Sequence, residues 1–276
     1  LVVFGIAHGL WFAQVDAINL VLSLALGLAA MSLIGFMWVT MLTSRSHRVR
    51  HRTALSWYFT GQLGKYVPGG IWPIVGRAEL AVRNEIPRVD AYASTGLSLV
   101  STYLAAILAI ALGASLSSDH RLMGLAILGA LGVGYLVFSN TRLRAKTIAL
   151  ASKISPAAQS LTDPKRLTKL VLLHLPAWIL MSLSTSVTAS AFGAKIGIAE
   201  MLFITSSSWF VGFIVVGVPG GIGVREAVFT SLAGGIVGTP IAVSLALLSR
   251  VVFIAVDLSG AFVSNLIARM SRSVES

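Results

Sequence analysis

Val67-Pro68-Gly69-Gly70-Ile71 occurs twice in this chain, returning 151 residues later as Val218-Pro219-Gly220-Gly221-Ile222. At the same offset upstream, Tyr58, Phe59 and Gly61 answer Trp209, Phe210 and Gly212. Downstream, each copy runs into an arginine and a glutamate: Arg77 and Glu79 in the first, Arg225 and Glu226 in the second. Proline removes a backbone donor and glycine frees the backbone, so Pro-Gly-Gly inside apolar sequence ends one helix and starts another. In a bilayer such a break must be buried in protein or line a watery cavity. Two breaks in corresponding halves of a chain point to a transporter binding site.

Composition places the chain in a membrane. Of its 276 residues, 56% are hydrophobic and 11% charged, where a soluble domain carries about 25% charged residues. The net charge of +11 would suggest nucleic acid in a soluble protein. Here the cations lie in loops between apolar spans, so orientation and contact with anionic lipid account for them, and no nucleic-acid partner is expected. The absence of cysteine removes disulfides, thiolate metal sites and cysteine nucleophiles.

Residues 1–12 are apolar from the start but shorter than the roughly 20 residues a span needs; they read as the tail of a truncated first span. Ala17–Leu42 is long enough to cross. The stretch 55–67 is too short, is broken at Pro68, and is followed by a second short piece over 73–82. Together, 55–82 read as a re-entrant helix pair. A span over 90–113 follows, with Ser94, Thr95, Ser98, Ser101 and Thr102 suited to close helix packing. After a span over 122–138 comes a basic loop, 140–169, in which Leu143, Thr147, Leu150 and Ile154 recur at helical spacing, as in a segment lying flat at the interface. A span over 170–191, interrupted at Pro176, leads to the second broken pair, 201–237, and a last span over 241–267.

The expected architecture is an all-α membrane bundle in a single domain, 1–276. Repeat 1 covers 17–113 and repeat 2 covers 170–268. Placing the basic stretch Arg45 to Arg52 in the cytoplasm puts 15 Lys/Arg inside and two outside, Arg121 and Lys195. The first broken pair then enters from the cytoplasm and the second from outside, which makes the copies inverted repeats.

Each Pro-Gly-Gly leaves a helix N-terminus near the midplane, whose free N–H groups and positive dipole suit a phosphate or carboxylate. A charge at the centre of a membrane helix costs about 2.5–3.5 kcal/mol on insertion scales, so the attached charges must pair or face water or a ligand. The substrate-binding set is therefore Lys65, Tyr66, Pro68, Gly69, Gly70, Trp72, Arg77, Pro219, Gly220, Gly221 and Arg225. Glu79, Glu226, Arg250 and Asp257 are the charge-balancing or proton-coupling set. Cross-pairing is expected, Arg77 with Glu226 and Arg225 with Glu79, or one arginine is left for ligand phosphate. Arg250 and Asp257 stand two helical turns apart, about 10.5 Å of rise, too far for a direct pair. They are expected to meet charges from the motifs or a polar cavity. Lys65 is either a phosphate contact or a snorkelling residue.

Other chemistry is thinly represented. The five histidines show no HExxH spacing and no acidic cluster, so neither metal nor cofactor is expected. Gly-rich runs near 124–134 and Gly234-Gly235 suit helix packing, since no P-loop lysine follows. Trp11, Trp38, Trp57, Trp178 and Trp209 lie near predicted span ends, as in an aromatic belt.

The stretches Gly61-Gln62-Leu63-Gly64-Lys65-Tyr66-Val67-Pro68-Gly69-Gly70 and Val218-Pro219-Gly220-Gly221-Ile222-Gly223-Val224-Arg225-Glu226 resemble the flippase-like family. This is the membrane part of lysylphosphatidylglycerol synthases and their stand-alone relatives. The first copy departs from the commoner family form in having Ile71-Trp72-Pro73 before Arg77. The resemblance implies an eight-span domain that moves lipids across the bacterial inner membrane, with membrane lipids as partners. A separate soluble domain makes the aminoacylated lipid in the synthases, and this chain reads as a stand-alone member without it. Relatives accompany polyprenyl-phosphate sugar pathways. Two other functions stay open: a membrane enzyme acting on a lipid phosphate through Glu79 and Glu226, and a non-transporting subunit docking a lipid-modifying enzyme through the basic loop.

Overall fold

Apolar length dictates the frame, and among the described residues five helices are long and apolar enough to cross a bilayer. The computed structural model describes residues 16–43, 49–68, 70–140, 142, 145, 163–215 and 218–273. The expectations for residues 1–12, for Trp11 and for most of the basic loop lie outside these. The long helices are α1 (Ala17–Thr43), α4 (Arg88–Leu116), α5 (Arg121–Ser139), α6 (Pro164–Ala191) and α9 (Thr239–Ser273). Two shorter pairs complete the set: α2 (His51–Gln62) with α3 (Trp72–Val82), and α7 (Ile198–Ile214) with α8 (Val224–Val237). The resemblance implies eight spans; the described residues supply five long helices and these two pairs.

Both pairs are broken where the sequence predicts. α2 and α3, at 12 and 11 residues, reach only about 18 and 16 Å at 1.5 Å per residue, against a hydrocarbon core of about 30 Å. α8, at 14 residues, reaches about 21 Å. A 3₁₀ turn, Leu63–Tyr66, tightens the end of α2 before the first break. Another, Pro219–Gly221, forms the second break itself. Gly70 (φ 66°), Gly220 (φ 54°) and Gly221 (φ 67°) occupy the left-handed region, which a Cβ disfavours, so the backbone can reverse at these points.

Two expected boundaries are corrected. α6 starts at Pro164, inside the segment read as loop, because Asp163 accepts a hydrogen bond from the Lys165 N–H at 3.0 Å and Pro164 follows as the first helical residue. Lys165, Arg166 and Lys169 are thus helical. Pro176 does not interrupt the span: α6 runs through it to Ala191, since a proline in a long membrane helix removes one backbone bond and neighbouring helices hold the rest.

The bundle packs through small residues. α1 meets α6 at Ser23, whose hydroxyl donates to the Ser184 carbonyl at 2.8 Å and lies 2.7 Å from the Thr188 hydroxyl. On α4, Ser94 donates to the Met41 carbonyl, and Thr95 accepts from the Trp38 indole at 3.0 Å. Ser94 and Thr95 therefore bond across helices as expected, whereas Ser101 and Thr102 bond back within α4 and the buried Ser98 hydroxyl has no partner among the described residues. Gly124 lets α5 lie against α4 at Ala111, Ala114 and Ser115. The other glycines of that run, Gly129, Gly132 and Gly134, face open space, so close packing explains only the first. Two apolar clusters result. One centres on Trp38, Tyr58, Phe59, Trp178 and Trp209, the other on Met201, Phe203, Phe229 and Leu245.

Candidate functional site

Both Pro-Gly-Gly turns open onto a single cavity of about 250 Å³. Gly70, Ile71 and Pro73 line it from the first copy, and Val218, Gly220 and Gly221 from the second. Gly220 is where the copies meet. A Cβ built there would lie 3.4 Å from the Lys65 carbonyl oxygen and 3.4 Å from Arg250 Nη2. The Trp72 indole donates to the Pro68 carbonyl at 2.6 Å and ties the first turn together. Pro219 opens the second turn; Gly69 lies outside the described residues.

Lys65 and Arg77 are the cations that line the cavity. Lys65 Nζ stands 2.5 Å from Asp257 Oδ2, and the same oxygen accepts the Tyr66 hydroxyl at 2.5 Å. Asp257 is fully buried, and its second oxygen, Oδ1, has no hydrogen-bond partner. Lys65 is itself 7% exposed, so it does not snorkel. The short 3₁₀ turn places it on the inner face, where a carboxylate from α9 meets it.

The two arginines are held alike. Arg77 lies over the rings of Tyr58 and Trp38, 5.5 and 5.7 Å from their centroids. Arg225 lies 3.5 Å from the centroid of Trp209. Tyr58 and Trp209 are repeat equivalents, and each is followed three residues later by a glycine that the arginine crosses. A Cβ on Gly61 would come within 2.9 Å of Arg77 Cβ and backbone N, and one on Gly212 would strike the Arg225 side chain. Glycine thus lets the second helix of each pair approach until its arginine lies on the ring of the first.

Aromatic faces compensate these charges only in part. A cation over a ring gains about 0.5–2 kcal/mol, whereas burying one costs several kcal/mol. Arg77 is 5% exposed and its Nε has no hydrogen-bond partner. Of the groups lining the cavity, it has most to gain from an incoming anion.

The expected cross-pairing does not form. Glu226 Oε1 accepts from Arg250 Nη1 at 2.5 Å, and Oε2 accepts from the Gly223 N–H at 2.6 Å, which caps α8. Glu79 lies 3.0 Å from Arg88 and accepts the Tyr92 hydroxyl at 2.6 Å. Each glutamate has a closer partner: Glu226 stands where a helix N-terminus wants an anion, and Glu79 faces the start of α4. Among the described residues no carboxylate lines the cavity, and Glu79 and Glu226 are not brought together there. Arg250 and Asp257 meet charges from the motif regions, Glu226 and Lys65.

The tryptophans are corrected too. Trp38, Trp57, Trp178 and Trp209 are all buried and form no interfacial belt. Trp178 and Trp209 are cavity wall, and the Trp178 indole is satisfied by the Thr102 carbonyl at 3.1 Å. On and beside the two turns, the exposed large side chains are apolar, and Ile71 and Val215 among them line the cavity. Val67, Ile71 and Trp72 on the first turn, with Ile214, Val215 and Ile222 on the second, are between 38% and 55% exposed.

A family model for the lysylphosphatidylglycerol synthase TM region matches residues 4–258. The chain belongs to that family. It is a multi-pass membrane protein related to lipid modification or transport. A comparison with curated proteins finds no match. In this member of the lysylphosphatidylglycerol synthase transmembrane family, sequence reasoning located both turns and both cations of the cavity. It missed the aromatic beds of the arginines. The signal for Tyr58 and Trp209 was their shared repeat offset. Trp38 and Trp178 come from helices outside the motifs, and no local pattern marks them.

Proposed function

We propose that this chain translocates an anionic lipid, a phospholipid or a polyprenyl-phosphate-linked sugar, across the bacterial cytoplasmic membrane. The head group binds between the two Pro-Gly-Gly turns while the chains stay in the bilayer. The observation that carries this is the pairing of a cationic cavity floor, Lys65 and Arg77, with an exposed apolar rim on both turns. A small hydrophilic anion has no use for the rim, and a neutral lipid has none for the floor. Membership of a lipid-related membrane family supports the same reading.

The two broken pairs act as inverted, re-entrant repeats that enter from opposite faces. Their turns meet at the midplane, and rocking one pair against the other exposes the head group to each side in turn. Pro68, Gly70, Pro219, Gly220 and Gly221 shape the backbone around the head group, with Tyr66 and Trp72 at its edge. Lys65 and Arg77 meet its charge in the cavity and Arg225 acts from behind the Trp209 wall, while Asp257, Glu226 and Arg250 balance the site. Glu79, tied to Arg88, serves the membrane-surface end of α3.

The test is reconstitution in liposomes with a fluorescent anionic phospholipid and reduction of the probe in the outer leaflet. Wild-type protein should bring the inner-leaflet probe out, and Arg77→Gln should slow this at least 10-fold. Unchanged rates in protein-free and protein-containing liposomes, with turnover of a lipid-linked donor instead, would replace transport with enzymology.

A further inference from the structure

We infer that the head group taken by this cavity carries two negative charges, as a phosphate monoester or diphosphate does, and that a singly charged phosphodiester is the poorer ligand. This rests on the lipid-translocation reading above. Four cations stand around the two turns, Lys65, Arg77, Arg225 and Arg250. Two of them are already neutralised, Lys65 by Asp257 and Arg250 by Glu226. The other two, Arg77 and Arg225, lie on aromatic rings and have no carboxylate partner among the described residues.

The carboxylates that act on Arg225, Glu226 and Asp257, are the two already matched to Arg250 and Lys65. Glu79, two residues from Arg77, is engaged by Arg88 and Tyr92. His174 acts electrostatically with Arg77 but brings no negative charge, and its Nδ1 is held to the Leu170 carbonyl. Two positive charges are therefore left over at the site.

Both surplus charges bear on the same cavity. Arg77 lines it directly, with its Nε unpartnered and buried. Arg225 stands behind the wall formed by Trp209 and Gly212, both of which line it. In a poorly screening interior, a ligand with one charge leaves one arginine uncompensated, whereas a doubly charged one meets both. A monoester carries about −1.5 to −2 charges near pH 7, with three strong acceptor oxygens. The apolar rim requires that this phosphate end a hydrocarbon chain.

Binding can be followed on the purified full chain in detergent micelles at pH 8, by the fluorescence of Trp178 and Trp209 in the cavity wall. The probes are dioleoyl phosphatidic acid, dioleoyl phosphatidylglycerol and dioleoyl phosphatidylcholine, with glycerol 3-phosphate as the chainless monoester. Phosphatidic acid should bind at least 10-fold tighter than phosphatidylglycerol. Arg77→Gln and Arg225→Gln should each shrink that ratio to below about 3-fold, and the exposed control Lys195→Gln should leave it unchanged. Equal binding of phosphatidic acid and phosphatidylglycerol, both above phosphatidylcholine, overturns the charge assignment and leaves the anionic-lipid reading standing. No preference for either over phosphatidylcholine overturns both. Glycerol 3-phosphate binding as tightly as phosphatidic acid keeps the charge count and overturns the lipid reading. The wild-type series decides by itself, and Arg77→Lys, which keeps the cation, should retain the preference if Arg77→Gln does not fold.

Discussion

Lys65 and Asp257 show how a residue pair can serve a site and burden the fold together. Both are buried, and the carboxylate spends one oxygen on two donors while the other has none. Removing one member of a buried ion pair strands the other, at a cost of about 3–5 kcal/mol. Asp257→Asn should destabilise the chain by about that much in thermal or denaturant unfolding in detergent. The double variant Lys65→Met, Asp257→Asn should recover most of the loss, because no unpaired charge is left behind. A single variant as stable as wild type would mean that water or lipid already compensates Lys65. Arg77 is the opposite case: its partner is two rings, and the anion it lacks is expected from the ligand.

At the scale of elements, the recurring device is a helix pair closed over a glycine. Gly61 faces Arg77 at its backbone as well as its Cβ, whereas the atoms nearest a Cβ on Gly212 belong to the Arg225 side chain. The same substitution should therefore act differently in the two pairs. Gly61→Ala forces α3 away from α2 and should cost about 1–3 kcal/mol, the usual range for overpacking, read as a lower unfolding temperature. Gly212→Ala can be met by swinging Arg225 off Trp209, so it should fold nearly as well as wild type but translocate lipid several-fold more slowly. Equal stability losses in both would show that Arg225 cannot move. The repeat was legible here in Tyr58/Trp209 and Gly61/Gly212 at one offset. The arginines fall three residues out of that register, at an offset of 148 rather than 151, and only the folded pairs reveal that they are equivalent.

At the scale of the molecule, the apolar cluster around Tyr58, Trp178, Met181 and Trp209 forms part of the wall of a cavity to which both turns contribute. The proposed inversion of the pairs makes a prediction about sidedness, and a chain without cysteine suits single-cysteine labelling. Asn84→Cys, just after the first pair, should react with an impermeant maleimide only from the cytoplasmic side of oriented vesicles. Lys195→Cys, just before the second pair, should react only from the other side. Labelling of both from one face would rule out inverted entry.

What the sequence determined by itself follows from local physics. Apolar length marks the long helices, Pro-Gly-Gly marks the breaks, and a charge inside apolar sequence marks a group that must find a partner. Each of these depends on a few neighbouring residues, so each can be read along the chain. Which partner each charge found was decided only by the tertiary structure. Lys65 meets a carboxylate from the last helix, Arg250 meets the cap of α8, and both motif arginines settle on rings that had looked like an interfacial belt. Such choices depend on distances between residues up to about two hundred positions apart in the chain. Buried charges respond steeply to those distances, because little solvent screens them.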